Sequence, residues 1–175
     1  NYHYRQTLPL PNLQGSFYDG ITEAMTNSKK HAYSGIRNDG FNTRKVSPKW
    51  WMFSQKKDGY LTVVFCDLGV GIPVTLPVKK PNVYTHIKNK FGVVTDSLCI
   101  IEALKYSVSR THKDERGKGL KDIAEWIKRV DDGTFNIFSN RGLYRFVNNK
   151  DYSHNFKSNI LGTIITWRVP IPDSL

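Results

Sequence analysis

The sequence predicts an α/β fold of the α+β kind, a two-layer sandwich in which about three helices cover one face of a mixed, mainly antiparallel sheet. Apolar residues recur at helical spacing in segments that begin near residues 16, 97 and 120. Five apolar runs are typical of strands, and the turn Asp58-Gly59 joins the first two as a hairpin. Helices and antiparallel strands in this order favour one layer of each.

The length and composition are those of one globular domain. The 175 residues are 39% hydrophobic and 23% charged, which is enough apolar material to bury a core. No run of about 18 apolar residues occurs, so we expect no transmembrane helix and no membrane partner. Cys66 and Cys99 form neither a disulfide framework nor a zinc quartet, which favours the cytoplasm. Because the chain does not begin with Met, we expect it to be a fragment of a longer protein.

The net charge of +11 favours anionic partners. One interpretation is a solvated basic surface. Another is a nucleic-acid-binding module in which Trp50 and Trp51 stack on bases. The basic pairs are dispersed along the chain and form no single stripe: Lys29/Lys30, Arg44/Lys45, Lys56/Lys57 and Lys79/Lys80.

The first third of the chain is predicted to contain an arm, a helix and a hairpin. Residues 1–15 are typical of an edge strand or arm, closed by Pro9 and Pro11. Ser16 can cap a helix that runs to about Tyr33, and a polar loop follows it. The hairpin strands are predicted over Trp50–Gln55 and Tyr60–Cys66.

The remainder of the domain, which we expect to span residues 16–172, alternates irregular and regular segments. Residues 68–115 contain three prolines and are predicted to be irregular except for a helix over Ser97–Ser107. A clear amphipathic helix follows over Leu120–Val130. Three strands then close the domain: Thr134–Ser139, Leu143–Val147 and Ile160–Val169.

One face of the first helix carries groups that suit phosphate chemistry. At about 100° per residue, Glu23, Asn27 and Lys30 lie within about 60° of one another. A carboxylate can polarise a nucleophile, an amide can ligate Mg²⁺, and an ammonium can contact phosphate oxygens. The alternative is the solvated face of an amphipathic helix, and an isolated pattern of this kind favours that alternative.

A second segment follows the apolar strand of the hairpin. Asp67 lies where ligands bind at strand ends, and its carboxylate can accept a hydrogen bond from an exocyclic amine such as that of adenine. Gly69 and Gly71 let the backbone pass close beneath a flat ring, and Ile72 supplies apolar lining. A tight turn without a ligand is an equally open interpretation.

A third segment, Arg116-Gly117-Lys118-Gly119, precedes the helix that begins at Leu120. A helix start after glycines presents free N–H groups and a positive dipole end to an anion. A loop that needs glycine only for its geometry is again the alternative. The sequence contains no G-x-x-x-x-G-K-[ST], H-R-D or D-F-G motif, which argues against P-loop and protein-kinase folds.

Taken together, these segments resemble the GHKL superfamily, the gyrase, chaperone, histidine-kinase and mismatch-repair ATPases that share the Bergerat ATP-binding fold. The resemblance covers about residues 16–170. Glu23 to Ala32 resembles the N box, nearest to that of the anti-sigma serine kinases. Asp67 to Pro73 and Arg116 to Leu120 resemble the two glycine boxes, and Gly162-Thr163 is similar to the closing Gly-Thr element.

The resemblance implies a role for each of these residues. Glu23 would be the general base, Asn27 the Mg²⁺ ligand and Asp67 the acceptor for the adenine amino group. An ATP lid is implied over about residues 74–115. The other residues would contact phosphate (Lys30, Arg116, Gly117, Lys118, Gly119, Leu120), shape the base pocket (Gly69, Gly71, Ile72) or support the adenine acceptor through water (Thr163).

The leading hypothesis is a Mg²⁺-dependent domain that binds and hydrolyses ATP, with ATP and Mg²⁺ as cofactors. Nucleotide binding would change the conformation of a larger protein, through other domains or a protein partner. The first alternative is a protein kinase, either an anti-sigma-like serine kinase or a histidine-kinase catalytic domain. The second alternative is the basic nucleic-acid-binding module.

Overall fold

The computed structural model describes residues 10–106 and 120–171, and within them the predicted two-layer α+β architecture is confirmed. Six strands form one open sheet: β1 (Trp50–Lys57), β2 (Tyr60–Asp67), β3 (Thr134–Ser139), β4 (Gly142–Val147), β5 (Lys150–Asn155) and β6 (Thr163–Pro170). Their order across the sheet is β1-β2-β6-β3-β4-β5. Every neighbouring pair of these strands is antiparallel. The mainly antiparallel character of the sheet is therefore confirmed, and the prediction that the sheet is mixed is wrong.

The predicted hairpin of β1 and β2 is confirmed. Asp58 and Gly59 have φ of 52° and 73°, the positive values that a two-residue type I′ turn needs. Alternate residues of β2, including Val63 and Phe65, are buried. Asp67 therefore ends a strand that lies inside the sheet, between β1 and β6.

β5 is a strand that the sequence analysis missed. All of its residues are exposed, so it lacks the apolar pattern on which a strand prediction depends. Asn148 and Asn149, with φ of 50° and 57°, form the two-residue turn that folds β5 back onto β4. The final strand begins at Thr163, three residues after the predicted start at Ile160.

The first helix, α1 (Leu10–Asn27), begins before the predicted cap at Ser16. Pro11 is compatible with this start, because N–H groups in a first helical turn have no partner within the helix. Beyond α1 the predicted helix continues as a π-helix, Ser28–Ala32. Residues 10–15, predicted as part of an arm or edge strand, belong to α1 instead, and residues 1–9 of the predicted arm lie outside the described residues.

Two helices occupy the segment that was predicted to be irregular. α2 (Ile72–Lys79) and α3 (Pro81–Phe91) each carry a proline in the first turn, where a missing N–H is tolerated. Gly92, with φ of 70°, ends α3 in the left-handed conformation common at helix C-termini. The described ranges thus contain five α-helices, two more than the three helical segments predicted from apolar spacing.

The fourth helix, α4 (Asp96–Lys105), agrees with the helix predicted over Ser97–Ser107. Ile100 and Leu104 are buried in the core, so α4 belongs to the packed helical layer, and it lies within the range 74–115 implied as a lid. Residues 107–115, the last part of that implied lid, lie outside the described residues.

The helical layer covers one face of the sheet. α5 (Leu120–Ile127) ends earlier than predicted and packs against α1. The core between the two layers includes the fully buried rings of Phe65, Phe135 and Trp167. A 3-10 turn, Thr43–Lys45, interrupts the loop before β1. Among the helices of the described ranges, none combines the length and the apolar character needed to cross a membrane.

Candidate functional site

A cavity of about 380 Å³ lies between the helical layer and the sheet. Pockets of this size accommodate small ligands. Its walls come from α1, the π-helix, α2, α4, α5 and the strands β2, β3 and β6. Apolar side chains, among them Phe65, Ile137 and Ile165, form much of the wall. Seven residues that the sequence analysis proposed for the site line this cavity: Glu23, Asn27, Asp67, Gly71, Ile72, Leu120 and Thr163.

The end of α1 supplies a carboxylate and an amide. Asn27 Nδ2 donates a hydrogen bond to Glu23 Oε1 at 3.0 Å, which turns the amide oxygen away from the carboxylate. Among the described residues, no cluster of three His, Cys, Asp or Glu side chains could hold a metal ion. Mg²⁺ is commonly bound by one or two protein oxygens together with substrate phosphates. The amide oxygen of Asn27 therefore suits an ion that is bound jointly with a nucleotide.

The π-helix determines which of the next side chains face the cavity. A π-helix takes more residues per turn than an α-helix, so Lys30, three residues after Asn27, falls well short of a full turn, whereas His31, four residues after Asn27, stays close to one. His31 lines the cavity, whereas Lys30 is exposed and does not. The alignment of Lys30 with Glu23, predicted from α-helical spacing, is lost for this reason.

His31 is a site residue that the sequence analysis missed. Its Nδ1 atom is buried and has no hydrogen-bond partner among the described residues. Burial, and then the charges of Lys79 and Lys30, lower the pKa of His31. The neutral imidazole is therefore favoured, and its buried nitrogen can pair with a ligand.

Asp67 is the buried carboxylate of the cavity. It is 6% exposed, and among the described residues the N–H of Gly69 donates to its Oδ1 at 2.9 Å. Burial raises the pKa of Asp67 to about 6, although the hydrogen bond from Gly69 lowers it. An ionised carboxylate has about four acceptor positions, so most of them remain for a ligand.

The two glycines of the turn after β2 are needed for different reasons. A Cβ atom on Gly69 would lie 2.3 Å from the carbonyl oxygen of Ala32, to which the N–H of Val70 donates at 2.7 Å. Gly71 has φ of 81°, and a Cβ there would lie 2.7 Å from the side chain of Asn140. Gly71 lines the cavity; Gly69 instead docks the turn on the π-helix.

Thr163 lies beside Asp67 because the two are direct partners in the β2–β6 register. A Cβ on Gly162 would lie 2.1 Å from the Asp67 carbonyl oxygen, so glycine permits this close approach. On its other side Thr163 pairs with Ser139, and their hydroxyl oxygens are 3.0 Å apart. Ser139 Oγ also accepts the N–H of Ile72 at 2.8 Å. These hydroxyls connect the strand ends to the start of α2.

Two lysines at the C-terminal end of α2 also line the cavity, although the sequence analysis treated them only as dispersed charge. Burial lowers the pKa of Lys80, and the carboxylate of Glu23 raises it, so the two groups interact. The Lys80 ammonium donates to the carbonyl of Tyr106 at 2.7 Å. Lys79 is exposed and borders the same cavity. The only sequence signal for these two lining residues was the Lys79-Lys80 pair itself, because α2 was not predicted.

Leu120, the first residue of α5, lines the cavity. The first described residue of α5 thus lies at the site, and a helix start close to it would favour an anion through the helix dipole. Arg116, Gly117, Lys118 and Gly119 lie outside the described residues, and their phosphate contacts stay predictions.

No family model and no curated protein matches this chain. A functional assignment therefore depends on the cavity and on the residues that line it.

Proposed function

We propose that this chain is a Mg²⁺-dependent domain of the GHKL type that binds and hydrolyses ATP. The supporting observation is that four segments far apart in the sequence line one cavity. The segments resemble the ATP-binding boxes and the Gly-Thr element, and they contribute these lining residues: Glu23, Asn27, Asp67, Gly71, Ile72, Leu120 and Thr163. A chance likeness of short motifs would give no reason for these residues to meet.

Asp67 is the proposed adenine-binding residue. Its ionised carboxylate would accept a hydrogen bond from the exocyclic amino group, whereas guanine presents a carbonyl oxygen at that position. Thr163 offers a hydroxyl next to it in the register. Phe65 and Ile165 supply apolar surface for a flat ring in the same cavity.

The cationic groups of the cavity suit the phosphates. Lys79 and Lys80 would bind phosphate oxygens as point charges, and the buried nitrogen of His31 would add a polar contact. Mg²⁺, held by the amide oxygen of Asn27 and by phosphate oxygens, would neutralise charge on the transferred group.

Glu23 is the proposed general base. A carboxylate here could accept a proton from a water molecule that attacks the terminal phosphate. The hydrogen bond from Asn27 fixes the orientation of this carboxylate. We expect nucleotide binding to change the conformation of a larger protein in the cytoplasm, where the free thiols of Cys66 and Cys99 stay reduced.

Calorimetric titration with the non-hydrolysable analogue AMP-PNP and Mg²⁺ tests binding. Asp67→Asn should weaken binding at least about ten-fold, because a hydrogen bond to a charged group contributes roughly 1.5–3 kcal/mol. The matched control Asp58→Asn, in the exposed hairpin turn, should bind like the unmodified chain. Equal affinity of the Asp67→Asn variant, or no binding by the unmodified chain, would contradict the proposal.

Release of labelled phosphate from ATP tests the chemistry. Glu23→Gln should lower the turnover rate at least about 100-fold while AMP-PNP binding persists, because general-base catalysis contributes roughly 10²–10⁴-fold. Glu125→Gln, at an exposed position of α5, is the matched control and should hydrolyse ATP normally. Transfer of the label to a protein instead of water would identify a kinase.

A further inference from the structure

The face of the sheet that points away from the helices has a charge pattern of its own. Side chains alternate between the two faces along each strand. In the six described strands the outward positions hold no Asp or Glu, whereas Asp67 and Asp151 point towards the helices. Four outward positions hold permanent cations, and these define what we call the basic face: Lys57, Arg145, Lys150 and Arg168.

Large aromatic rings lie exposed among these cations. Trp51 and Phe53 point outward from β1 and are 40% and 61% exposed. Tyr152 points outward from β5, directly opposite Arg145 in the register, and is 49% exposed. Phe156 follows β5 and is 42% exposed. Among the described residues no helix covers these rings, so they present flat apolar surfaces to solvent.

Several side chains of the basic face are already held in place. Arg145 Nε donates to Asn136 Oδ1 at 2.7 Å, and Asn136 Nδ2 donates to Thr166 Oγ1 at 2.8 Å. The guanidinium of Arg168 lies 3.4 Å from the centroid of the Tyr60 ring. Ordered cations lose less conformational freedom when they bind a ligand.

We propose that the basic face binds single-stranded nucleic acid. Exposed aromatic rings can stack on unpaired bases of any sequence, and the surrounding Lys and Arg side chains can neutralise phosphates. A second copy of the chain suits the face poorly, because Arg145 and Arg168 would then meet like charges. A duplex suits it poorly as well, because paired bases are not free to stack on the rings.

Fluorescence anisotropy of labelled oligo(dT) and oligo(U), about 15 nucleotides long, tests the proposal with the full chain. Phe53→Ala and Tyr152→Ala should each weaken binding at least about five-fold, because each removes an aromatic ring on which a base would stack. Arg145→Gln should weaken binding and reduce its dependence on salt. Matched controls on α3, Phe91→Ala and Lys88→Gln, should bind like the unmodified chain.

The basic-face variants also separate this site from the nucleotide cavity, because Phe53→Ala and Tyr152→Ala should leave AMP-PNP affinity unchanged. Three results would overturn the proposal: no oligonucleotide binding, equal affinity of the face variants and the α3 controls, or tighter binding to a duplex of the same length. A fourth result, measured by sedimentation, would also overturn it: the unmodified chain self-associates, and Phe53→Ala abolishes that self-association but still binds the oligonucleotide.

Discussion

Asp67 combines deep burial with a negative charge at neutral pH. Its pKa is about 6 in the folded chain against an ordinary value of 3.8, because burial disfavours the ionised form. The stability that such a group contributes is fully present below pH 3.8 and is lost as the pH rises through about 6. A shift of about two units corresponds to roughly 3 kcal/mol. The residue proposed to bind adenine thus destabilises the free protein at neutral pH.

We therefore expect Asp67→Asn to raise the free energy of unfolding by up to about 3 kcal/mol at pH 8 and to change it little at pH 4. The amide resembles the protonated carboxyl in shape, and its oxygen can still accept the Gly69 N–H. Urea unfolding at both pH values measures the difference. Asp58→Asn should show no such pH-dependent gain, and a less stable Asp67→Asn variant at pH 8 would contradict the prediction.

At the scale of elements, the site depends on how the turn after β2 docks on the π-helix. Gly69 allows the backbone to approach the carbonyl of Ala32, which accepts the N–H of Val70. The turn carries Asp67 at one end and the start of α2 at the other. A displacement of this turn would therefore disturb both Asp67, the proposed adenine acceptor, and the helix that bears Lys79.

Gly69→Ala should lower the free energy of unfolding by about 2 kcal/mol or more and weaken AMP-PNP binding, because its Cβ would lie 2.3 Å from the Ala32 carbonyl oxygen. Gly35→Ala is the matched control, since its Cβ would meet only Val70, at 3.7 Å. Thermal unfolding and calorimetry measure the two effects. A Gly69→Ala variant as stable as Gly35→Ala would show that the turn can move without penalty.

An element could be predicted from the sequence only where its own residues carry a recognisable pattern. β2 and α4 carry local apolar patterns and were predicted close to their true bounds. α2 and α3 were missed because their prolines resemble loop signals, although a proline in a first helical turn is compatible with a helix. β5 was missed because an exposed edge strand needs no apolar alternation; its only local signal was the Asn148-Asn149 turn.

At the scale of the whole molecule, the cavity is bounded by both layers, so a ligand in it should stabilise the entire fold. AMP-PNP at about 100 times its Kd should add roughly 2.7 kcal/mol and raise the Tm by about 5–10 °C. Differential scanning calorimetry with and without the nucleotide measures this. GMP-PNP at the same concentration should give a smaller shift, and an equal shift would argue against Asp67 as an adenine-specific acceptor.

The site as a whole was predictable only where residue type and spacing reflect chemistry. Glu23, Asn27, Asp67 and Thr163 were proposed from motifs, and the structure brings them to one cavity. Lys30 was proposed instead of His31 because α-helical spacing aligns Lys30 more closely with Glu23, and the π-helical turn moves Lys30 off the cavity face. Apolar periodicity does not record a π-helical turn.

β6 has a consequence for both proposed ligands. Thr163 and Ile165 on one side line the cavity, while Ile164 and Arg168 lie on the opposite side. A nucleotide and a polynucleotide would then be separated by the thickness of a single peptide strand. If occupancy on one side shifts that strand, the affinity on the other side must change, and thermodynamic reciprocity requires the same factor in both directions.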